Sequence, residues 1–293
     1  MKKILVTGCS GFIGHHLIKK AQDAGFFVKG VDKRPIPSNH YKPNLFVQAD
    51  VKDLNYRDMM GIDYVIHLAW RTNIPDCIRH PEESTNQNID MSLHMLELAR
   101  EAGIKKMLFP STASLYGNNS TPWHEDLIPD PIEHYSWQKL SIEYACQMYS
   151  KKFNLPTVIF RFFQVFGEFQ REDTALAAFL KAQKEGRAIT LTTTTAQSTF
   201  KSGQRDFIYA GDLAEALIKA IKSGIVDSGI ILNIASGKVY TMEEIANTIG
   251  AEVVWIPKRE HEVERHEADM QRTFTYLNWQ AKTDVIEWLK ALS

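Results

Sequence analysis

The amino-acid sequence predicts an α/β fold in which a doubly wound parallel sheet is joined by a smaller lobe from the C-terminal half of the chain. Three observations predict it. Short apolar runs of strand length alternate with helical patterns, and repeated strand–helix units imply parallel strands covered by helices on both faces. A glycine pattern, Gly8-x-x-Gly11-x-x-Gly14, sits directly between the first such run and the first helical pattern. The composition, 44% hydrophobic and 24% charged over 293 residues, is that of a globular chain with room for one large domain or two modest ones.

Taken in order, Lys3 to Thr7 is a β-rich apolar run that stops at the glycines, and a helical pattern follows from about Gly11 to Ala24. Phe27 to Asp32, Leu45 to Val51 and Tyr64 to Trp70 read as the next strands. A long helical stretch reaches Ala102, Lys106 to Ser111 is a strand, a helix runs from about Tyr135 to Lys152, and Thr157 to Phe163 is again a strand. Helices near Ala175 to Glu185 and Gly211 to Lys222 precede the strand Ile230 to Ala235. A helix after Thr241, a strand Glu252 to Ile256 and an amphipathic helix near Asp284 to Leu292 complete the pattern. The organisation this suggests is a first domain over 1–165, rejoined by about 205–236, and a lobe made mainly from 166–293.

Charge and hydropathy exclude several classes of function. Lys+Arg 34 against Asp+Glu 35 leaves a net charge of -1, so nothing attracts the chain in bulk to nucleic acid or an anionic membrane. No apolar run approaches the ~18–20 residues that span a bilayer, and the run after Met1 is too short for a signal peptide, which makes a cytoplasmic protein the expectation. Cys9, Cys77 and Cys146 are widely spaced and show no Cys-x-x-Cys, against a disulfide framework or a zinc knuckle. The two histidines of His261-Glu262-Val263-Glu264-Arg265-His266 lack metalloprotease spacing, and no metal is expected. The threonine-rich stretch Thr190 to Thr199 reads as an edge strand or a loop.

Two constellations carry chemistry. Glycines at Gly8, Gly11 and Gly14 let the backbone turn tightly and approach a pyrophosphate at a helix N-terminus, with Phe12 and Ile13 opening that helix. Asp32 ends the second strand about 18 residues past Gly14, near the ~20 expected of the acid that holds adenosine ribose hydroxyls. A carboxylate there repels a 2′-phosphate and favours NAD, although Lys33 and Arg34 leave NADP possible. Tyr135 and Lys139, spaced i, i+4, share one helix face, where an ammonium lowers the phenol's pKa and prepares an acid/base for alcohol–ketone interconversion.

Together these residues resemble the extended short-chain dehydrogenase/reductase superfamily, specifically the NAD-dependent epimerase/dehydratase family that acts on nucleotide sugars, with a Rossmann-type cofactor domain and a substrate-binding lobe. The resemblance rests on Thr7-Gly8-x-x-Gly11-Phe12-Ile13-Gly14, on Asp50-Val51 where the family contacts adenine, and on His67-Leu68-Ala69 beneath the dinucleotide. It continues through Asn88-Ile89, Ser111-Thr112-Ala113-Ser114-Leu115-Tyr116-Gly117, Arg161-Phe162-Phe163-Gln164-Val165-Phe166-Gly167, Arg205-Asp206-Phe207-Ile208-Tyr209 and Arg259-Glu260-His261-Glu262. It implies Thr112, Tyr135 and Lys139 as catalytic residues. It also implies Gly8, Gly11, Phe12, Ile13, Gly14, Asp32, Asp50, Val51, Leu68, Ala69, Asn88, Tyr135, Lys139 and Phe162 around the cofactor. Trp70, Thr112, Gln164, Arg205, Arg259 and Glu262 are implied around the substrate, the two arginines bracing a diphosphate.

Departures from the family pattern shape the expected activity. Ala113 and Ser114 stand where dehydratases carry an Asp-Glu pair and decarboxylating relatives a Glu, which leaves 4-epimerisation or 4-keto reduction. Gln164 replaces an Asn, the segment between Leu191 and Arg205 is longer than usual, and Trp70 stands where a small residue is usual. An indole filling the sugar pocket favours a reductase, while Asp32 and NAD favour an epimerase. A dinucleotide sensor without turnover fits less well, since Thr112, Tyr135 and Lys139 are all kept. A homodimer is expected through the two long helices that carry Ile89, Leu93 and Leu96, and Trp137, Ile142, Ala145 and Tyr149.

Overall fold

Strand Lys3–Thr7 pairs in parallel with Phe27–Asp32 on one side and Tyr64–His67 on the other, and this pairing decides the architecture. The computed structural model describes residues 1–195, 198, 200–224, 229–258 and 263–292. Its central sheet has seven parallel strands, in the order Ile230–Ile234, Thr157–Phe162, Lys106–Thr112, Tyr64–His67, Lys3–Thr7, Phe27–Asp32 and Leu45–Gln48. The chain winds outward in one direction from Lys3–Thr7 and later in the other. The winding therefore reverses between Lys3–Thr7 and Tyr64–His67, and the crevice beyond their carboxyl ends is where such sheets take ligands.

Alternation along the first strand assigns the two faces, because successive side chains of a strand point opposite ways. Ile4 and Val6 join Leu17, Ile18, Leu213 and Leu217 under helices Phe12–Asp23 and Ala210–Lys222. Leu5 joins Met95, Leu96, Ile142, Cys146 and Ile159 under helices Pro81–Glu101 and His134–Phe153. Burial on both faces accounts for strands that read as unbroken apolar runs.

The smaller unit is built on strand Gln204–Tyr209, which pairs with Val239–Thr241, Arg265–His266 and Gln164–Phe166. A separate parallel pair joins Ile189–Thr192 to Val253–Ile256, and Phe166, Phe179, Phe207, Ile245, Val285 and Leu289 form this unit's core. Of the segment 205–236 expected to rejoin the large sheet, strand Gln204–Tyr209 stays in the small one. Helix Ala210–Lys222 and strand Ile230–Ile234 make the return.

Two of the residues expected on a dimer face, Leu96 and Ile142, lie in the core, whereas Leu93 and Trp137 remain exposed beside Tyr144 and Met148 on the same two helices. No helix among the described residues is long and apolar enough to cross a membrane. The three cysteines are buried and unpaired.

Candidate active site

The glycine loop follows from close packing at the ends of adjacent strands. Gly8 has φ +68°, and a Cβ there would stand 2.6 Å from Ala69 N; a Cβ on Gly14 would stand 2.5 Å from Cys9 O. Leu68 and Ala69 donate backbone N–H groups to the Thr7 carbonyl and hydroxyl, which clamps the two strand ends together. Gly11 is the N-cap of helix Phe12–Asp23 and has no side-chain cap, and a Cβ on it would meet only Gly8 O at 3.2 Å and the Arg34 guanidinium at 3.9 Å. Open space above uncapped helix N–H groups is what an anion needs, so a dinucleotide pyrophosphate fits here. Phe12 meets His16 edge-on, and Ile13 packs on the core under the sheet, as does the ring of Phe162.

Asp32 is held by the Ser10 and Arg34 backbone N–H groups at 3.1 and 2.9 Å, at the carboxyl end of its strand. The Arg34 guanidinium lies 3.6 Å from it and is largely exposed. Cys9 fills the space against Gly30 beneath the loop, and burial, with the Asp32 charge adding to it, pushes its thiol up to about 12. No thiolate acts there.

Several residues expected around the cofactor also hold the scaffold. Asp50 caps the short turn Val51–Asp53 by accepting from Lys52 N at 3.0 Å, and the Val51 side chain is in the core. Asn88 is fully buried, accepts from Arg71 N at 2.8 Å and donates to Arg71 O and to Gln138 Oε1. Its amide therefore braces the loop after strand Tyr64–His67 against helix His134–Phe153. His67 pairs with the Thr7 and Ser92 hydroxyls at 2.7 and 3.2 Å, and burial, reinforced by the Lys139 charge, lowers its pKa to about 3.

Thr112, Tyr135 and Lys139 converge at the carboxyl edge of the sheet. Thr112 ends strand Lys106–Thr112, caps the turn Ala113–Tyr116, and lies 3.0 Å from the Ser114 hydroxyl and in hydrogen-bond contact with Tyr135. Glu133 caps helix His134–Phe153 by accepting from Tyr135 N and Ser136 N, which fixes the tyrosine's backbone. Lys139 Nζ donates to Pro110 O at 2.6 Å and stands 6.0 Å from the centre of the Tyr135 ring. The spacing predicts a phenol lowered by the ammonium; instead burial, helped by the Glu133 charge, raises it, and burial also holds Lys139 well below the usual lysine value. Burial is the largest of the influences on the phenol, ahead of the Glu133 and Arg171 charges.

The Trp70 indole covers Lys139 Nζ at 3.7 Å and meets Phe109, on the side of the core under the two long helices.

A cleft of about 440 Å³ opens in the smaller unit and is lined by Gln164, Asp173, Thr190, Thr192, Arg205 and Phe207 among others. Arg205 donates to the Gln204 and Glu264 carbonyls at 2.8 and 3.1 Å. The threonine-rich stretch begins as the wall of this cleft and bridges from Thr193 to Ser202. Arg259 and Glu262 lie outside the described residues.

Sequence reasoning noted Ser114 only where dehydratases carry a carboxylate, and passed over Glu133 and the segment around Arg171. Arg171 contacts Thr72 and Asp173, Asn73 donates to Asp173 at 2.8 Å, and the Arg171 charge reaches Tyr135. The Arg171–Thr72 and Asn73–Asp173 contacts join the larger unit to the smaller one. Glu133 was legible as an acid just before a helix. Nothing local marks Arg171.

Comparison with known proteins agrees with this geometry. The model of the NAD dependent epimerase/dehydratase family matches residues 4–235. The UDP-glucuronate 4-epimerase of Thermodesulfobacterium geofontis is 28% identical, over 98% of this chain and 93% of that protein. A probable UDP-glucuronate 4-epimerase of Rhizobium meliloti is 32% identical over 74% of this chain and 67% of its own length. Among solved structures, UDP-glucuronic acid 4-epimerase from Bacillus cereus, in complex with UDP-glucuronic acid and NAD, superimposes with a TM-score of 0.87 at 26% identity, covering 99% of this chain and 97% of that one. UDP-N-acetylglucosamine 4-epimerase from Methanobrevibacter ruminantium gives 0.87 at 26% identity, covering 99% and 96%. With its glycine loop, its Tyr-x-x-x-Lys helix and its family match running from the first strand through Ala235, this chain belongs to the NAD-dependent epimerase/dehydratase family.

Proposed function

We propose that the protein is a nucleotide-sugar C4 epimerase that works through a bound NAD. The observation that carries this reading is the convergence of Thr112, Tyr135 and Lys139 beside the glycine loop, together with a cleft in the smaller unit that contains Gln164 and Arg205. When bound, NAD would supply the acceptor for the hydride of the sugar's C4 and its donor to the opposite face of that carbon. Tyr135 removes the proton from the 4-hydroxyl as that carbon is oxidised and gives it back on reduction. Thr112 and Ser114 offer hydroxyls to the reacting oxygen. Lys139 holds ribose hydroxyls beside the phenol. Arg205 braces the diphosphate, a task suited to a fixed guanidinium fork. Ala113 and Ser114 provide no carboxylate to drive loss of water, which separates this site from a dehydratase's.

Asp32 supports NAD over NADP, since both of its oxygens are already pinned toward the loop and a 2′-phosphate would meet its charge. The likeness to 4-epimerases supports an epimerase over a reductase. The exposed Leu93, Trp137, Tyr144 and Met148 support a homodimer through the two long helices, which light scattering at micromolar concentration tests. The three unpaired cysteines suit a reducing, cytoplasmic setting.

The deciding experiment incubates purified protein with UDP-glucuronate, UDP-glucose and UDP-N-acetylglucosamine without added reductant and follows the anomeric protons by NMR. Appearance of a 4-epimer supports the proposal. Stoichiometric consumption of NADH or NADPH on a 4-keto sugar, with no epimerisation, would make the protein a reductase instead.

A further inference from the structure

Lys139 is buried, and its Nζ is 3.7 Å from the centre of the Trp70 ring and 4.8 Å from that of Phe109. The two rings meet edge-to-face with centroids 5.7 Å apart, forming two walls of a seat whose third side is the Pro110 carbonyl. The Trp70 indole N–H is buried without an acceptor. An indole held by its polar end would have bonded that group; this one is used for its face, which attracts a cation. The groups that titrate around the ammonium are Tyr135, Glu143 and Cys146 on its own helix and His67 on the adjoining strand. Glu143 is the one carboxylate among them, and its charge is shared with Arg161, which donates to both of its oxygens at 3.1 and 2.8 Å, and with the Ser111 hydroxyl. Helix Pro81–Glu101 presents Asn88 and Ser92 to this region, and neither titrates.

We propose that Trp70 is a positioning residue whose ring, with Phe109, keeps the buried Lys139 ammonium charged and in place beside Tyr135. The inference rests on the reading of Lys139 as Tyr135's partner. A small side chain at position 70 would leave the ammonium with a single carbonyl and a neutralised carboxylate, and burial would then favour its loss of a proton.

Two measurements on the full-length protein as purified test this. Lysines labelled with ¹³C at Cε are titrated by NMR, the Lys139 signal being assigned by its loss in Lys139→Met, in wild type, Trp70→Phe and Trp70→Leu. The pH dependence of kcat is recorded for the same proteins on the nucleotide sugar they epimerise. In Trp70→Leu the Lys139 titration and the alkaline limb of kcat fall together by about one pH unit, and Trp70→Phe, with a weaker ring, falls by less. KM for the sugar stays within about twofold, since the ring lies away from the cleft. An unchanged Lys139 titration in Trp70→Leu overturns the proposal, as does a raised KM with an unshifted profile, which would place the indole in the sugar pocket. Should Trp70→Leu fail to fold, Trp70→Phe against wild type decides the same point. The NMR titration needs no turnover, so the absence of epimerase activity would sink the proposed function and leave this test intact.

Discussion

His67 offers a quantitative test of the site's electrostatics. It is 1% exposed beneath the glycine loop, and burial lowers its pKa from 6.5 to about 3. The folded protein therefore keeps the ring neutral while the unfolded chain protonates it as pH falls through 6.5, so the unfolded state binds more protons and stability drops on the acid side. Between pH 7.5 and pH 5 the unfolded histidine gains about one proton and the folded one almost none, which costs about 2 kcal/mol by linkage. His67→Gln keeps an amide able to bond the Thr7 and Ser92 hydroxyls and has nothing to titrate. Urea unfolding of both proteins at the two pH values should show the wild type losing about 2 kcal/mol more than the variant. The other groups with depressed values, including His15 and Lys139, act equally in both and cancel. Equal acid losses in wild type and His67→Gln would refute the reasoning, since the buried ring would then not be the group that resists protonation.

Tyr135→Phe should lower turnover by at least the ~10²–10⁴ of a general acid/base while bound NAD, measured after denaturation, is retained, and Thr112→Val should cost less because a hydrogen bond rather than the proton carrier is lost. Arg205→Ala should raise KM for the nucleotide sugar about tenfold or more with NAD retention unchanged, and the free sugar should be a very poor substrate by the same NMR assay. Asn88→Ala strips Arg71 N and Gln138 of buried partners and should destabilise the fold by roughly 1–3 kcal/mol in urea unfolding. Gly8→Ala places a Cβ 2.6 Å from Ala69 N at φ +68°, so purified protein should come without bound NAD, and normal NAD content would show that the loop does not cradle it.

What the sequence determined by itself was whatever depends on neighbours along the chain. Gly8, Gly11 and Gly14 between a strand and a helix, and Tyr135 with Lys139 one helical turn apart, are local patterns, and the parallel sheet follows from the alternation of elements. Local pattern was silent where a strand's character came from its partners. Gln204–Tyr209 begins with a polar and two charged residues, and it is a strand because Gln164–Phe166, Val239–Thr241 and Arg265–His266 flank it. Tertiary structure also decided what identical residue types do. Asn88 became a brace because Arg71 and Gln138 consume its amide, and Trp70, packed edge-to-face on Phe109, became the cover of Lys139. Lys139 and Tyr135 are adjacent by helical periodicity, yet their proton affinities were set by burial first, with Glu133 acting on the phenol and Glu143 on the ammonium. Spacing along a chain specifies which groups meet on one face of a helix; the solvent they lose and the charges brought from other elements specify their chemistry, and only the folded molecule contains those.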